Sequence, residues 1–178
     1  MTIVTPAGLK GQLVSIAGRL CEVLLPIKDQ YYIGNGNTIA ICTLGSLHLL
    51  QSIAHDPYIM NRILIVGRLL SENRGIDMLI NFALKNQNLR YIIVCGKEVK
   101  GHKSGQALLS LHKNGVQSNG KIIGAYAPSP FLLSTLRDID SFRLQTKICN
   151  LIGIEDPQII KAHLYKVTVR YYKLCYIK

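Results

Sequence analysis

The chain has no tryptophan, no Cys-x-x-Cys pair and no basic-then-apolar leader at its start. Its five cysteines, Cys21, Cys42, Cys95, Cys149 and Cys175, are odd in number and widely spaced. That spacing argues against both a zinc ribbon and a disulfide framework. Several sit inside apolar runs, as reduced, buried thiols of a cytosolic protein do. No stretch reaches the about 18 uncharged apolar residues expected of a membrane-spanning helix. Residues 7 to 25 come closest, but Lys10, Arg19 and Glu22 interrupt them. They read as an amphipathic helix ended by Pro26. Internal repeats and low-complexity segments are missing too. Acidic residues are scarce, 10 Asp+Glu against 21 Lys+Arg, for a net charge of +11. Such a balance favours anionic partners. The positive charge is dispersed, and Tyr171-Tyr172 beside Arg170 and Lys173 is too short a pattern for a base-stacking patch. No nucleic-acid partner is expected.

What is present suits one domain with a terminal extension: 178 residues, 48% of them hydrophobic. Thr38 to Thr43 is a continuous apolar run that stops at Leu44-Gly45-Ser46, as a buried parallel strand does. Ile63 to Leu70 and Tyr91 to Cys95 repeat that form, and Ile122-Ile123-Gly124 reads as a short fourth strand. Helical spacing is expected over Leu47–Ala54, over Gly75–Asn86, from Ala107 to the Asn114-Gly115 cap, over Asp138–Asn150 and over Pro157–Lys166. His55-Asp56-Pro57 reads as a break, and Lys166 to Tyr172 alternates like a strand. Strands alternating with helices predict an α/β fold on a parallel sheet with right-handed crossovers. Three loops then share one sheet edge: Leu44-Gly45-Ser46, Glu72-Asn73 with Gly75, and Gly96 to Gly105. The loop after Gly124 is expected to join them.

The loop from Gly96 to Gly105 is the most informative. An apolar strand stops at Gly96, a segment with Gly101 and Gly105 follows, and a helix begins at once. Ligands of α/β proteins bind at such places, outside the carboxyl ends of the strands. Gly96-x-x-x-x-Gly101 opens like a phosphate loop, but His102 displaces Lys103-Ser104 by one residue, which re-aims the lysine. A phosphate or nucleotide binder using Gly96–Ser104 remains an alternative. His102 also has the marks of a metal ligand. It lies past a strand end, between glycines, with Glu98 close enough in sequence to orient it. No second ligand stands at zinc-like spacing, so a lone imidazole suits a metal whose macrocycle supplies the other donors. His102-x-x-Gly105 matches half of the Asp-x-His-x-x-Gly signature of flavodoxin-like cobalamin domains, with Lys100 in the aspartate's place. His112 reads as a surface or capping residue, Cys95 as a structural thiol, and Glu72 and Asn73 as rim or helix-capping groups.

Longer blocks carry a wider resemblance. They are Ile39-Ala-Ile-Cys-Thr-Leu-Gly-Ser46, Glu72-Asn73-x-Gly75-Ile76, and Ile93-Val-Cys-Gly-x-Glu-Val-x-Gly-His-x-x-Gly-Gln106. Leu111-His-x-Asn-Gly-Val116 and Gly120-x-Ile-Ile-Gly-Ala125 complete the set. On these residues the chain resembles the A subunit of tetrahydromethanopterin S-methyltransferase, the corrinoid carrier of a methanogen membrane complex. The resemblance implies a Rossmann-like three-layer α/β domain, with a central, mainly parallel sheet, over residues 30–160. An amphipathic extension (1–29) would precede it and a basic tail (161–178) follow. It implies a cobalamin or related cobamide, with His102 as axial cobalt ligand and the corrin over Leu44, Gly45, Ser46, Glu72, Asn73, Gly75, Cys95, Gly96, Glu98, Gly101, Gly105, Gln106, Ala125 and Tyr126. In that family a methyl group passes from methyl-tetrahydromethanopterin to Co(I), then from methyl-Co(III) to coenzyme M. Partner methyltransferase proteins catalyse both steps, so whether this chain is itself an enzyme stays open. Imidazole would bind in one cobalt state and leave in the other, and only its neutral form can bind. The chain ends in Tyr-Lys-Leu-Cys-Tyr-Ile-Lys178 without the anchor of the membrane-bound form. A soluble, cytoplasmic homologue is therefore expected. A corrinoid sensor or storage module is the alternative within the same cofactor class.

Overall fold

Alternate residues of each central strand face opposite apolar layers, and that alternation builds the domain. The computed structural model describes residues 31–176, with side chains as far as Val169. The extension at 1–29, with its expected helix at 7–25, lies outside the described residues. Five strands are present: β1 (Tyr31–Ile33), β2 (Ile39–Cys42), β3 (Ile65–Gly67), β4 (Tyr91–Gly96) and β5 (Lys147–Ile152). The described residues also form six helices, α1 (Leu47–Ala54), α2 (Pro57–Met60), α3 (Arg74–Lys85), α4 (Ser104–Asn114), α5 (Leu136–Gln145) and α6 (Pro157–Tyr176). The sheet order is β1-β3-β2-β4-β5, parallel throughout except for β1, which runs antiparallel to β3.

Ala40, Cys42, Ile92 and Val94 face one layer, where they meet Ile76, Ile80 and Ala83 of α3, Ala107, Leu108 and Leu111 of α4, and Ile139 and Phe142 of α5. Ile39, Ile41, Tyr91, Ile93 and Cys95 face the other, against Leu49, Leu50 and Ile53 of α1, Ile59 of α2, and Ile160 and Leu164 of α6. Both faces of β2 and β4 are therefore buried, as their unbroken apolar runs require. The result is the Rossmann-like three-layer α/β architecture, with every parallel strand delivering its carboxyl end to one edge. Among the described residues no helix is long and apolar enough to cross a membrane.

Three local expectations change. The helix expected over Asp138–Asn150 ends at Gln145, because Thr146 turns extended (φ −110°, ψ 155°) and Lys147–Ile152 becomes β5 beside β4. Ile122–Gly124 is no strand: Ile122 makes a single bridge to Val116, and Gly124 has φ +80°. The alternating tail from Lys166 is helical, continuing α6, where Thr168 Oγ1 donates to Leu164 O at 2.8 Å. The boundary expected at 160 falls within this helix. The break at His55-Asp56-Pro57 holds a cap: Asp56 Oδ1 accepts from the N–H groups of Tyr58 and Ile59, and Pro57 starts α2.

Candidate functional site

The loops at the carboxyl edge are stitched to one another through the backbone. Gly45 N donates to Lys97 O at 3.0 Å, so the β2–α1 turn grips the β4–α4 loop. Gly96 N donates to Ile154 O and Gly96 O accepts from Gly153 N, both at 2.8 Å, which adds the loop after β5. Gly96 has φ +80°, and a Cβ there would lie 2.4 Å from Thr43 O. Only glycine fits that crossing. Gly105 is tight for another reason: its Cβ would meet Leu44 Cδ1 at 2.8 Å and Ile152 Cδ1 at 3.0 Å.

His102 stands on the loop before α4, in a turn closed by His102 N and Lys103 N donating to Val99 O. Its Nδ1 lies 2.8 Å from Glu72 Oε2. Glu72 is only 2% exposed, and its other oxygen, Oε1, accepts from Ser129 N at 3.1 Å. Burial pushes this carboxyl up. Bonds from its own backbone N–H, from His102 and from Ser129 outweigh that push and hold it below the usual glutamate value. The ionised carboxylate can only accept, so Nδ1 carries the proton and donates. Nε2 then has no protein partner among the described residues, while the side chain is 53% exposed.

Glu98 does not orient His102. Its carboxylate accepts from Gly105 N and Gln106 N, both at 2.9 Å, and from Val99 N. The reason is local. Lys103 precedes α4 in a left-handed conformation (φ +46°) without a side-chain cap, so Glu98 reaches across the turn to satisfy the free amides. The positive end of α4 is therefore already met by an anion from the chain.

Gln106 ties the next loop down. Its Nε2 donates to Gly124 O and Ser110 Oγ, and its Oε1 accepts from Tyr126 N, all at 2.9 Å. Ala125 packs half-buried on the core, and Tyr126 is exposed with the Lys103 ammonium 5.9 Å from its ring centre. Asn73 caps α3 through Oδ1 to Arg74 N and donates through Nδ2 to Ser129 O. Gly75 N donates to Ser71 Oγ. Ser46 Oγ donates to Glu155 Oε1 at 2.6 Å and accepts from Lys97 N, and Lys97 pairs with Glu155 at 2.9 Å. Gly101 (φ +84°) has open space where a side chain would stand.

Hydrogen bonds thus tie His102 to Glu72, both Glu72 and Asn73 to the backbone of Ser129, and Gln106 to the backbone of Tyr126. Leu44 and Cys95 are fully buried and belong to the two apolar layers. Burial drives the Cys95 thiol far above its ordinary value and that of Cys42 up to about 12, so both stay protonated. His112 points away, its Nε2 2.8 Å from Thr146 O. Ser129 and Glu155 were not legible in the sequence, and neither was the partner of Ser104. Ser104 Oγ donates to Leu69 O at 2.6 Å, 35 positions away, and no local pattern announces such a pairing. A groove of about 670 Å³ is lined by Asn73, Arg74, Asp77, Met78, Phe131 and Leu133.

Among the described residues no three His, Cys, Asp or Glu side chains gather as a metal cage. One imidazole, set by a buried carboxylate, fits a metal that brings its own ring of donors and needs a single ligand from the protein.

Known proteins match this chain over most of its length. A sequence model of the A subunit of tetrahydromethanopterin S-methyltransferase matches residues 22–172. The A 2 subunit of that enzyme from Methanothermobacter thermautotrophicus (strain Delta H) is 35% identical over 146 residues, covering 80% of this chain and 76% of the relative. The A 2 subunit from Methanothermobacter marburgensis is 34% identical over the same length, again covering 80% and 76%. The A subunit from Methanohalobium evestigatum is 36% identical over 141 residues, 78% of this chain and 56% of that longer protein.

Proposed function

This chain belongs to the family of tetrahydromethanopterin S-methyltransferase A subunits, and on that premise we propose that it is a corrinoid-binding methyl carrier with His102 as the cobalt ligand. The observation that carries the reading is the His102–Glu72 pair. A buried, ionised carboxylate holds Nδ1–H, and the imidazole is left with a lone pair on Nε2 facing no protein group. A carboxylate so placed fixes a ligating histidine's tautomer and raises its basicity. A bound corrinoid supplies a cobalt centre able to accept a methyl group from one substrate and yield it to another. The chain's own part is to bind and orient. His102 Nε2 would hold the metal, while Glu72 keeps the ring in register and Ser129 N–H keeps Glu72 in place. Gln106 fixes the loop bearing Tyr126 at the rim. The transfer steps belong to methyltransferase partner proteins on the cytoplasmic side. A phosphate-loop reading is disfavoured because Glu98 already fills the α4 terminus.

The test is titration of the apo-protein with cobalamin, followed by spectroscopy of the axial ligand. Wild-type protein should show an imidazole-nitrogen signature on cobalt, and His102→Ala should lose it while unfolding at an unchanged temperature. Persistence of the signature in the variant would reject His102 as ligand.

A further inference from the structure

Arg68 directly follows β3 at the same edge and is partly buried. Its Nε donates to Leu44 O at 3.4 Å and its Nη2 to Gly45 O at 3.1 Å. A guanidinium carries more N–H donors than these two bonds use, and Nη1 has no acceptor among the described residues. The ion pairs there join Lys97 to Glu155, His102 to Glu72, Arg143 to Asp140 and Lys161 to Asp56. Arg68 is in none of them. Burial pulls its pKa below the usual arginine value. Arg68 thus keeps a free N–H face and no carboxylate counter-ion at the edge where the loops meet.

The surroundings share the same sign. Glu72, Glu98 and Glu155 are each engaged by protein donors. Lys100 and Lys103 are exposed on the His102 loop and pair with no carboxylate among the described residues. The rim is therefore an anion-attracting surface. Arg68 is also fixed relative to His102, because the turn it braces is hydrogen-bonded through Gly45 N to the loop on which His102 stands.

We propose that Arg68 is the seat of the cobamide's phosphodiester, a specificity-determining contact separate from the axial ligand. The inference rests on the corrinoid reading above. A corrin's amide side chains are neutral, so the phosphodiester is the peripheral group that calls for a cation. The guanidinium fork suits phosphate oxygens better than a point charge does.

The experiment is a cycle of two pigments and two proteins, read by absorbance titration. Cobalamin carries the phosphodiester and cobinamide lacks it. Arg68→Gln should bind cobalamin about tenfold more weakly than wild type does, but lose less than about twofold toward cobinamide. Arg68→Lys should fall between. Added salt should weaken wild-type binding of cobalamin much more than of cobinamide. Equal losses for both pigments would overturn the proposal and leave Arg68 as a brace of the Leu44-Gly45 turn. No loss for either would also overturn it. Inorganic phosphate that stabilises the apo-protein through Arg68 without competing with cobalamin would assign the seat to a different phosphate ligand, which again rejects it. Thermal unfolding of the apo-variants checks their fold. Should Arg68→Gln fail to fold, the Arg68→Lys comparison and the salt series decide. Wild-type protein that binds neither pigment would remove the corrinoid reading itself. Wild-type protein that binds both, with no difference made by Arg68, would remove only this inference.

Discussion

His102 is oriented by a carboxylate 30 positions away, and the nearer carboxylate does different work. The glycine-flanked histidine was legible in the sequence, because a ligand loop at a strand end has a recognisable order of residues. Its partner was not. Proximity along the chain pointed to Glu98, yet the bare amides at the start of α4 draw that side chain inward, and Glu72 arrives from a different strand's loop. The role of Glu72 separates charge from shape. Glu72→Gln keeps a side-chain oxygen that can accept from Nδ1 but removes the anion that raises imidazole basicity. Cobalamin affinity should fall about ten- to a hundredfold with the fold intact. Absorbance titration of the variant checks it; unchanged affinity would mean that the carboxylate merely fills space.

Elements whose residues are buried on both faces were readable, and those defined by one neighbour were not. β2 and β4 announce themselves as unbroken apolar runs. β5 is nowhere fully buried, with Lys147 and Asn150 exposed, and nothing in Lys147–Ile152 says that β4 will pair with it. The end of α6 carries Val167 and Val169, whose strand-like alternation yields to the hold that Ile160 and Leu164 already have on the sheet. α2 depends on a distant partner as well. Asp56, its cap, pairs with Lys161 of α6 at 2.9 Å, and Lys161 also lies over the Tyr58 ring at 4.7 Å. Burial pushes the Asp56 carboxyl up. The Lys161 hydrogen bond and the N–H groups of Ile59 and Tyr58 outweigh that push and hold it below the ordinary aspartate value. A depressed folded-state pKa means that the stabilisation is whole above the unfolded value, about 3.9, and drains away as pH falls through the folded one. Asparagine caps as well as aspartate, so Asp56→Asn isolates the charge. It should cost about 1 kcal/mol at pH 7, with the gap to wild type closing toward pH 2. Denaturant unfolding at a series of pH values measures both. A gap independent of pH would remove the ion pair from the account.

Across the whole molecule, alternation of strand and helix made the parallel sheet predictable, along with the gathering of loops at one edge, and the family resemblance implied the three-layer plan. The short antiparallel β1 was beyond reach, because three residues carry too little pattern to be told from a turn. The layer beneath His102 is held chiefly by large side chains from α3, α4 and α5, and Phe142 is its largest fully buried member. Phe142→Ala should cost about 3–5 kcal/mol. Chemical denaturation should show a lower midpoint at an unchanged slope, while the fraction that stays folded keeps wild-type pigment affinity. A loss of affinity in the folded fraction would tie the core to the site more closely than the contacts suggest. The crossing of Gly96 over Thr43 O carries this dependence into descent. Lineages are free to exchange the lysines at 97, 100 and 103 and so to retune which molecules they attract, but position 96 has an alphabet of a single letter. A gene that loses it forfeits the edge on which every other novelty would have to be tried.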